Sequence, residues 1–396
     1  MSSRMSALLI LASLAAVAAE QPSEPPIAQV WIDLSTSSGN IPGIGAMSGG
    51  LSSLFGGKGK AEGNHFGNTR SMMGAGRWMD VTLMTRNNPN LQKATQAVPD
   101  GSKLAPTLAL VSPEGTPPVQ TKPTRQEEQE PAPEVQKPKG KMTLYWGCGS
   151  KVREGQPRVL DMATAGPADF QKFFESRRAT TKGTHSTPGQ PDWPNKDDSR
   201  MIPDDASLVG EHTFTGEGVP DGFKVNIDAA HDLMPAIELS NHDDETSTIL
   251  DWKALEHARG YFIASMSSQG EGEMVVWTSS ELPDFGFGLL DYQPNGAIDK
   301  WLKEKVLLAP TVTECAIPKE ALGKGTMVRM IAYGNELDVA YPPRPKNPKQ
   351  VWKPEWEAKV RLKSVSMTML GMPGRAQDSN SKPPSPLNVL KGLFGH

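Results

Sequence analysis

Between Ser247 and Ser280 the chain reads STILDWKALEHARGYFIASMSSQGEGEMVVWTSS, and no other stretch restricts the fold as strongly. Two apolar runs, residues 249–252 and 261–266, are separated by a short polar turn containing Gly260. A third, residues 274–277, follows a Gly-rich turn. Each run has strand length, is rich in β-branched or aromatic residues and is bounded by turn formers, a pattern that fits a pleated, half-buried surface. The three predict a β-meander supplying one sheet of a sandwich, and with it a mainly β chain.

Strand signals recur on both sides. Val30-Trp31-Ile32-Asp33-Leu34 alternates, and residues 78–84 (WMDVTLM) repeat its order of aromatic, aliphatic and Asp. The two are read as antiparallel partners or as one short internal repeat. Residues 108–111, 142–146, 313–317 and 326–333 are further strands, and 209–215 with 223–227 form a hairpin around a Gly/Pro/Asp turn. Residues 356–370 alternate at Val360, Leu362, Val365, Met367 and Met369 with one slip, which a bulge would absorb. Helical spacing is rare. Pro167 opens a segment, residues 167–178, in which Phe170, Phe173 and Phe174 share one face, predicting a short helix docked through its phenylalanines. Trp301, Leu302, Lys305 and Val306 predict a second short helix over 296–308.

Composition limits how much of this can be packed core. The 396 residues include 38 Gly and 35 Pro, and the hydrophobic share is 37%, against about 45–50% in globular domains. Three segments account for the deficit. Residues 35–76 are dominated by Gly, Ser, Met and Asn and read as a disordered loop; 113–141 are a Pro/Glu/Gln-rich linker; 373–396 are a flexible tail. The resulting order is an N-terminal β element over 20–112, a mixed β region over 142–233 carrying the 167–178 helix, and a sandwich over 234–372 with the 296–308 helix inserted.

The first nineteen residues match a secretory signal: Arg4, an apolar run over 5–14, then Ala16-Val17-Ala18-Ala19. The run is shorter than the about 20 residues that span a bilayer, and no later segment is apolar enough to cross. The expected location is periplasmic or secreted. A formal charge of −4, with Lys and Arg scattered, gives no footprint for nucleic acid. Export would place Cys148 and Cys315 in an oxidising compartment, where they can close one long-loop disulfide; buried thiols, or a nucleophile at Cys148, are the alternatives.

Candidate chemistry is thin. The histidines are His65, His185, His212, His231, His242, His257 and His396, and none has zinc-ligand spacing. His231-Asp232 and His242-Asp243-Asp244-Glu245 bracket a strand over 234–240, so they either meet at a sheet end as a base or metal site or lie in solvated turns. No G-x-S-x-G elbow is present, and Ser207, Ser279 and Ser280 have no placed His. Cys148 could take His185 or His212 as its base. Met367, Met369 and Met372, with Met72, Met73 and Met79 elsewhere, could bind Cu(I) through thioethers or simply fill the core. Two Leu/Phe-Gly clusters, residues 49–56 and 390–395, and a tail helix signal at Ser385-Pro386-Leu387 could dock on a protein partner or a membrane surface, or fold back on the chain.

Leu250-Asp251-Trp252, Gly260-Tyr261-Phe262-Ile263, Cys315-Ala316-Ile317-Pro318 and residues 327–334 together resemble a fibronectin type III domain over about residues 235–342. The resemblance implies that Trp252 on the second strand and Tyr261 on the third pack at the core. Residues 282–308 depart from it, standing where such domains have a short connection. The chain as a whole resembles exported bacterial proteins. The expectation is a fibronectin type III-like β-sandwich acting as a non-catalytic envelope scaffold. Trp252, Tyr261, Cys148 and Cys315 are then structural residues, and no catalytic residue, cofactor or metal is assigned. The alternative is a periplasmic enzyme or copper-handling protein using Cys148, His231 with His242, or Met367, Met369 and Met372.

Overall fold

Alternation in the first strand decides how the rest is arranged. In β1 (Ala28–Asn40) the pleat sends Val30, Ile32 and Leu34 to one face and Trp31, Asp33 and Ser35 to the other, and all six are buried. A strand buried on both faces belongs inside a sheet. The computed structural model describes residues 23–40, 64–70, 75–115, 140–179, 183–270, 272–347 and 349–370. The signal segment, the linker from 116 to 139, the tail, Met72, Met73, Met372, His396 and both Leu/Phe-Gly clusters lie outside these residues.

After β1 come β2 (Gly76–Thr85), β3 (Lys93–Ala97), β4 (Thr107–Val111), β5 (Lys141–Trp146) and β6 (Arg158–Asp161). Helix α1 (Pro167–Phe173) is followed by β7 (Asp192–Trp193), β8 (Gly210–Gly216), β9 (Lys224–Ile227), β10 (Ser240–Asp243) and β11 (Ser247–Asp251). Then come β12 (Gly260–Gly270), β13 (Glu273–Thr278), helix α2 (Asn295–Lys303), β14 (Glu314–Pro318), β15 (Lys324–Tyr333), β16 (Leu337–Tyr341) and β17 (Trp356–Met369). The chain is mainly β, as expected.

One large sheet runs β6-β5-β13-β12-β15-β17-β1-β2-β7-β4-β3-β8-β9, with β16 also on β17. A small sheet runs β10-β11-β14. The β1 and β2 segments are antiparallel partners, Asp33 opposite Asp80, and β8 and β9 form the predicted hairpin. The 247–280 meander does not lie in one sheet. Its second and third runs pair as β12 and β13, while its first run, β11, crosses to the small sheet. The crossing runs through residues 252–259, where His257 takes a left-handed φ of 63° and the Trp252 ring meets Tyr261 edge-on at 5.6 Å. Turning between sheets lets the Trp252–Tyr261 pair fill the space between them.

Two parallel pairings were not foreseen. β1 lies parallel to β17 along its whole length, from Ala28 opposite Trp356 to Asn40 opposite Thr368. β5 lies parallel to β13. Parallel neighbours need a long crossover, and here the crossover between β1 and β17 is most of the protein. β17 is flanked on its other edge by β16 along its first half and by β15 along its second. The N-terminal β element therefore continues the sheet that holds β12 and β15, and one core cluster takes Ile32 and Val81 together with Leu250, Tyr261, Val328 and Ile317.

Other boundaries shift. The 35–76 segment is not loop throughout: β1 continues to Asn40, and residues 64–70 form a turn docked on β2. α1 ends at Phe173 rather than 178; Pro167 starts it, and Asp169 accepts the N–H of Gly166 at 2.9 Å. α2 ends at Lys303, short of 308, because Lys305 adopts φ 58° and the chain leaves to meet Tyr261, whose N–H donates to the Leu308 carbonyl at 2.9 Å.

Candidate functional site

The two faces of the large sheet differ in chemistry. On the face away from the main core, β12, β15 and β17 carry Phe262, Ile331 and Val365, which α2 covers with Ile298 and Trp301. Farther along β17 and across β1 and β2, the same face becomes charged. Lys363, Arg361, Asp33 and Asp80 stand side by side, because the register sets Arg361 and Asp80 on either side of Asp33.

Asp33 is completely buried and Arg361 is 4% exposed. Arg361 Nε donates to Asp33 Oδ1 at 2.7 Å and its Nη2 to Oδ2 at 2.6 Å, a two-pronged pairing. The Thr184 hydroxyl adds a donor at 2.6 Å and Arg70 Nη2 another at 3.4 Å. Lys363, 1% exposed, donates to Asp291 at 3.0 Å and sits 4.2 Å from the centre of the Tyr292 ring. Burial pushes the Lys363 ammonium down to about 8, against the pull of Asp291. Tyr292 in turn donates its hydroxyl to the Leu34 carbonyl at 2.9 Å. Asp80 is the exception. Its Oδ2 accepts from Gly67 N–H at 3.0 Å and from the Thr69 hydroxyl, but Oδ1 is buried with no partner among the described residues. Desolvation lifts its carboxyl to about 7 despite those two hydrogen bonds. Apart from Asp80, the charges in this seam are paired with one another. Their hydrogen-bond partners come from the loops at 67–70, 183–184 and 291–292, so the seam clamps those loops to the sheet, and among its described charges only Arg70 and Asp291 are half-exposed.

Two surface features lie elsewhere. The first is aromatic. Phe173 at the end of α1 and Phe174 just after it pack against Phe285 and Phe287, with centroids 4.9 Å apart for Phe174–Phe285 and 4.3 Å for Phe285–Phe287. Gly286, at φ 86°, reverses the chain so that Phe285 turns inward while Phe287 stays 52% exposed. Phe174 stacks on Phe287 at 6.2 Å, and Phe170 on Phe174 at 6.3 Å. The docked phenylalanine face of α1 was legible in the sequence; its partners Phe285 and Phe287, in the 282–308 insertion, were not.

The second is a cleft of about 420 Å³ at the start of β7, lined by Phe66, Val111, Pro113 and Pro194 together with polar residues that include Asn64, Ser112 and Ser186. Asp192 lines it, 3% exposed, with Oδ2 lacking a hydrogen-bond partner among the described residues. Burial raises its carboxyl to about 6, against the Ser186 hydroxyl and His185. Glu114 and Lys196 pair at its edge at 2.5 Å. Nothing in the local sequence marks Asp192; segments distant in sequence enclose it, with β2 and β4 on either side of β7 and the 64–66 turn across the cleft.

The sequence-derived candidates separate. Cys148 and Cys315 are bridged, with Cα atoms 5.2 Å apart, joining the end of β5 to β14. Trp252 and Tyr261 are buried together in the core. His231 pairs with Asp228 at 2.7 Å and His242 with Asp251 at 2.9 Å, each with its own carboxylate. His212 is fully buried: Nε2 donates to the Leu208 carbonyl at 2.8 Å, Gln96 donates to Nδ1 at 3.0 Å, and burial pushes its pKa down. His185 contacts Gly183 and Gln190. Ser207 donates to Asp232, and Ser279 accepts from the N–H of Ile263. Met79 belongs to the core face of β2, whereas Met367 and Met369 lie on the opposite face of the sheet. Among the described residues no group of three or more His, Cys, Asp and Glu could hold a metal ion, and no helix is long and apolar enough to cross a membrane. No protein-family model, curated protein or solved structure matches the chain.

Proposed function

We propose that the chain is an exported, non-catalytic scaffold of the bacterial envelope that binds a protein partner through the Phe174–Phe287 surface. The carrying observation is that surface. A phenylalanine half open to solvent, stacked on a second ring and backed by others, keeps apolar area in water; contiguous exposed apolar patches mark interaction sites.

Three further observations support the reading. The order β10-β11-β14 opposite β12-β15-β17 corresponds to strands A, B and E facing C, F and G of an immunoglobulin-like sandwich. Trp252 directly follows the second of these strands and meets Tyr261 on the third, in keeping with a fibronectin type III-like domain. The Cys148–Cys315 bridge suits an oxidising compartment, and it commits the one thiol that a cysteine-based enzyme would use.

The test compares the mature protein with its Phe287→Ser variant, each immobilised and exposed to a detergent-solubilised envelope fraction. One protein is expected to be retained by the wild type and lost from the variant, with the melting temperature unchanged. Equal retention by both, or retention of nothing, contradicts the proposal.

A further inference from the structure

The cleft at β7 has a built-in asymmetry that the aromatic surface lacks. Phe66, Val111, Pro113 and Pro194 give it an apolar side within an otherwise polar lining, and of its buried polar side chains, Asn64, Ser112 and Asp192, only the carboxylate has an idle oxygen among the described residues. An idle acceptor removed from water costs about 1–3 kcal/mol, and buried polar groups are nearly always satisfied. Asp192 cannot relieve that cost by turning to solvent, because β7 is pinned on both sides: its backbone pairs with Thr82 of β2 and Val111 of β4, and the Asp192 carbonyl accepts from Asn195 at 2.8 Å. The charged and titratable groups nearest the cleft are His65, His185, Glu114 and Lys196. Lys196 is engaged by Glu114, and His185 by Gly183 and Gln190. None of them donates to Oδ2.

We infer that this cleft binds a small organic cation, with a primary ammonium donating to the Asp192 carboxylate and an aromatic or branched apolar body lying against Phe66, Val111, Pro113 and Pro194. The dimensions fit. Cavities of about 300–1,000 Å³ with apolar walls and few placed polar groups are those that hold such ligands. An ammonium supplies both the hydrogen bond and the counter-charge that the buried carboxylate lacks, while a neutral hydroxyl supplies only the first. The site is distinct from the aromatic surface, so it stands or falls independently of the proposed partner.

The experiment measures binding of 2-phenylethylamine and of its neutral counterpart 2-phenylethanol to the full mature chain by calorimetry at pH 7.5. The amine is expected to bind at least tenfold more tightly than the alcohol, and Asp192→Asn is expected to abolish that preference while leaving the weaker alcohol binding in place. Equal binding of the two compounds by the wild type, or binding of neither, overturns the inference even if the variant does not fold. An unchanged amine preference in a folded Asp192→Asn variant overturns it as well.

Discussion

Asp33 and Arg361 are 328 residues apart in sequence and form the most buried ion pair among the described residues. Removing one partner from such a pair strands the other charge, at a cost of about 3–5 kcal/mol, whereas replacing both by uncharged groups is often close to neutral. Arg361→Met should therefore lower unfolding free energy by about 3–5 kcal/mol in urea titrations, and Asp33→Asn/Arg361→Met should recover most of the loss. A single substitution costing under about 1 kcal/mol would refute the pairing. Asp80 makes a prediction of opposite sign. Its folded-state pKa of about 7 lies above the ordinary 3.8, so the native state holds the extra proton between those values and stability falls as pH rises through them. Asp192 acts in the same direction, while buried His212, with its lowered pKa, raises stability as pH climbs toward 6.5. The Asp80 contribution is isolated by difference: Asp80→Asn should gain up to about 3 kcal/mol over the wild type between pH 5 and 8. A constant difference across that range would count against it. The Asp residues of the two echoing strands and the antiparallel pairing of those strands were legible in the sequence, but Arg361 beside Asp33 was not, because no local pattern reports which distant strand a sheet places next to another.

At the scale of elements, the disulfide links the two sheets at their rim, from the end of β5 to β14. Closing a loop of 167 residues restricts the unfolded chain strongly, and bridges of this kind contribute about 2–4 kcal/mol. Cys148→Ser/Cys315→Ser should lose that amount in equilibrium unfolding and keep its β content by circular dichroism; no loss would mean that the bridge is not formed. Most strands were legible, since alternation and turn residues are local. The assignment of β11 to a second sheet was not, because a polar connection of eight residues serves a hairpin or a crossing equally well. Helix ends were read too late in both cases. Periodicity extends past the point where backbone geometry, such as the left-handed Lys305, takes the chain elsewhere.

Across the whole molecule, β17 is the strand on which the parts meet, with β1 along one edge and β16 and β15 along the other. Parallel neighbours far apart in the chain leave no trace in either segment, which explains why the N-terminal β element read as separate from the sandwich. The candidate sites show the same limit. The predicted thiol, imidazole and thioether groups were recognisable by residue type, yet the fold disperses them, while Phe287 and Asp192 acquire their character only from segments brought in from elsewhere. The central functional claim is that a partner is held at the aromatic surface. The most direct measurement places a photo-crosslinking benzoylphenylalanine at position 287 in cells, with the exposed edge-strand position 242 as control. A discrete adduct with one envelope protein at 287 and none at 242 is the predicted result; no adduct at 287, or the same adducts at both positions, would contradict it.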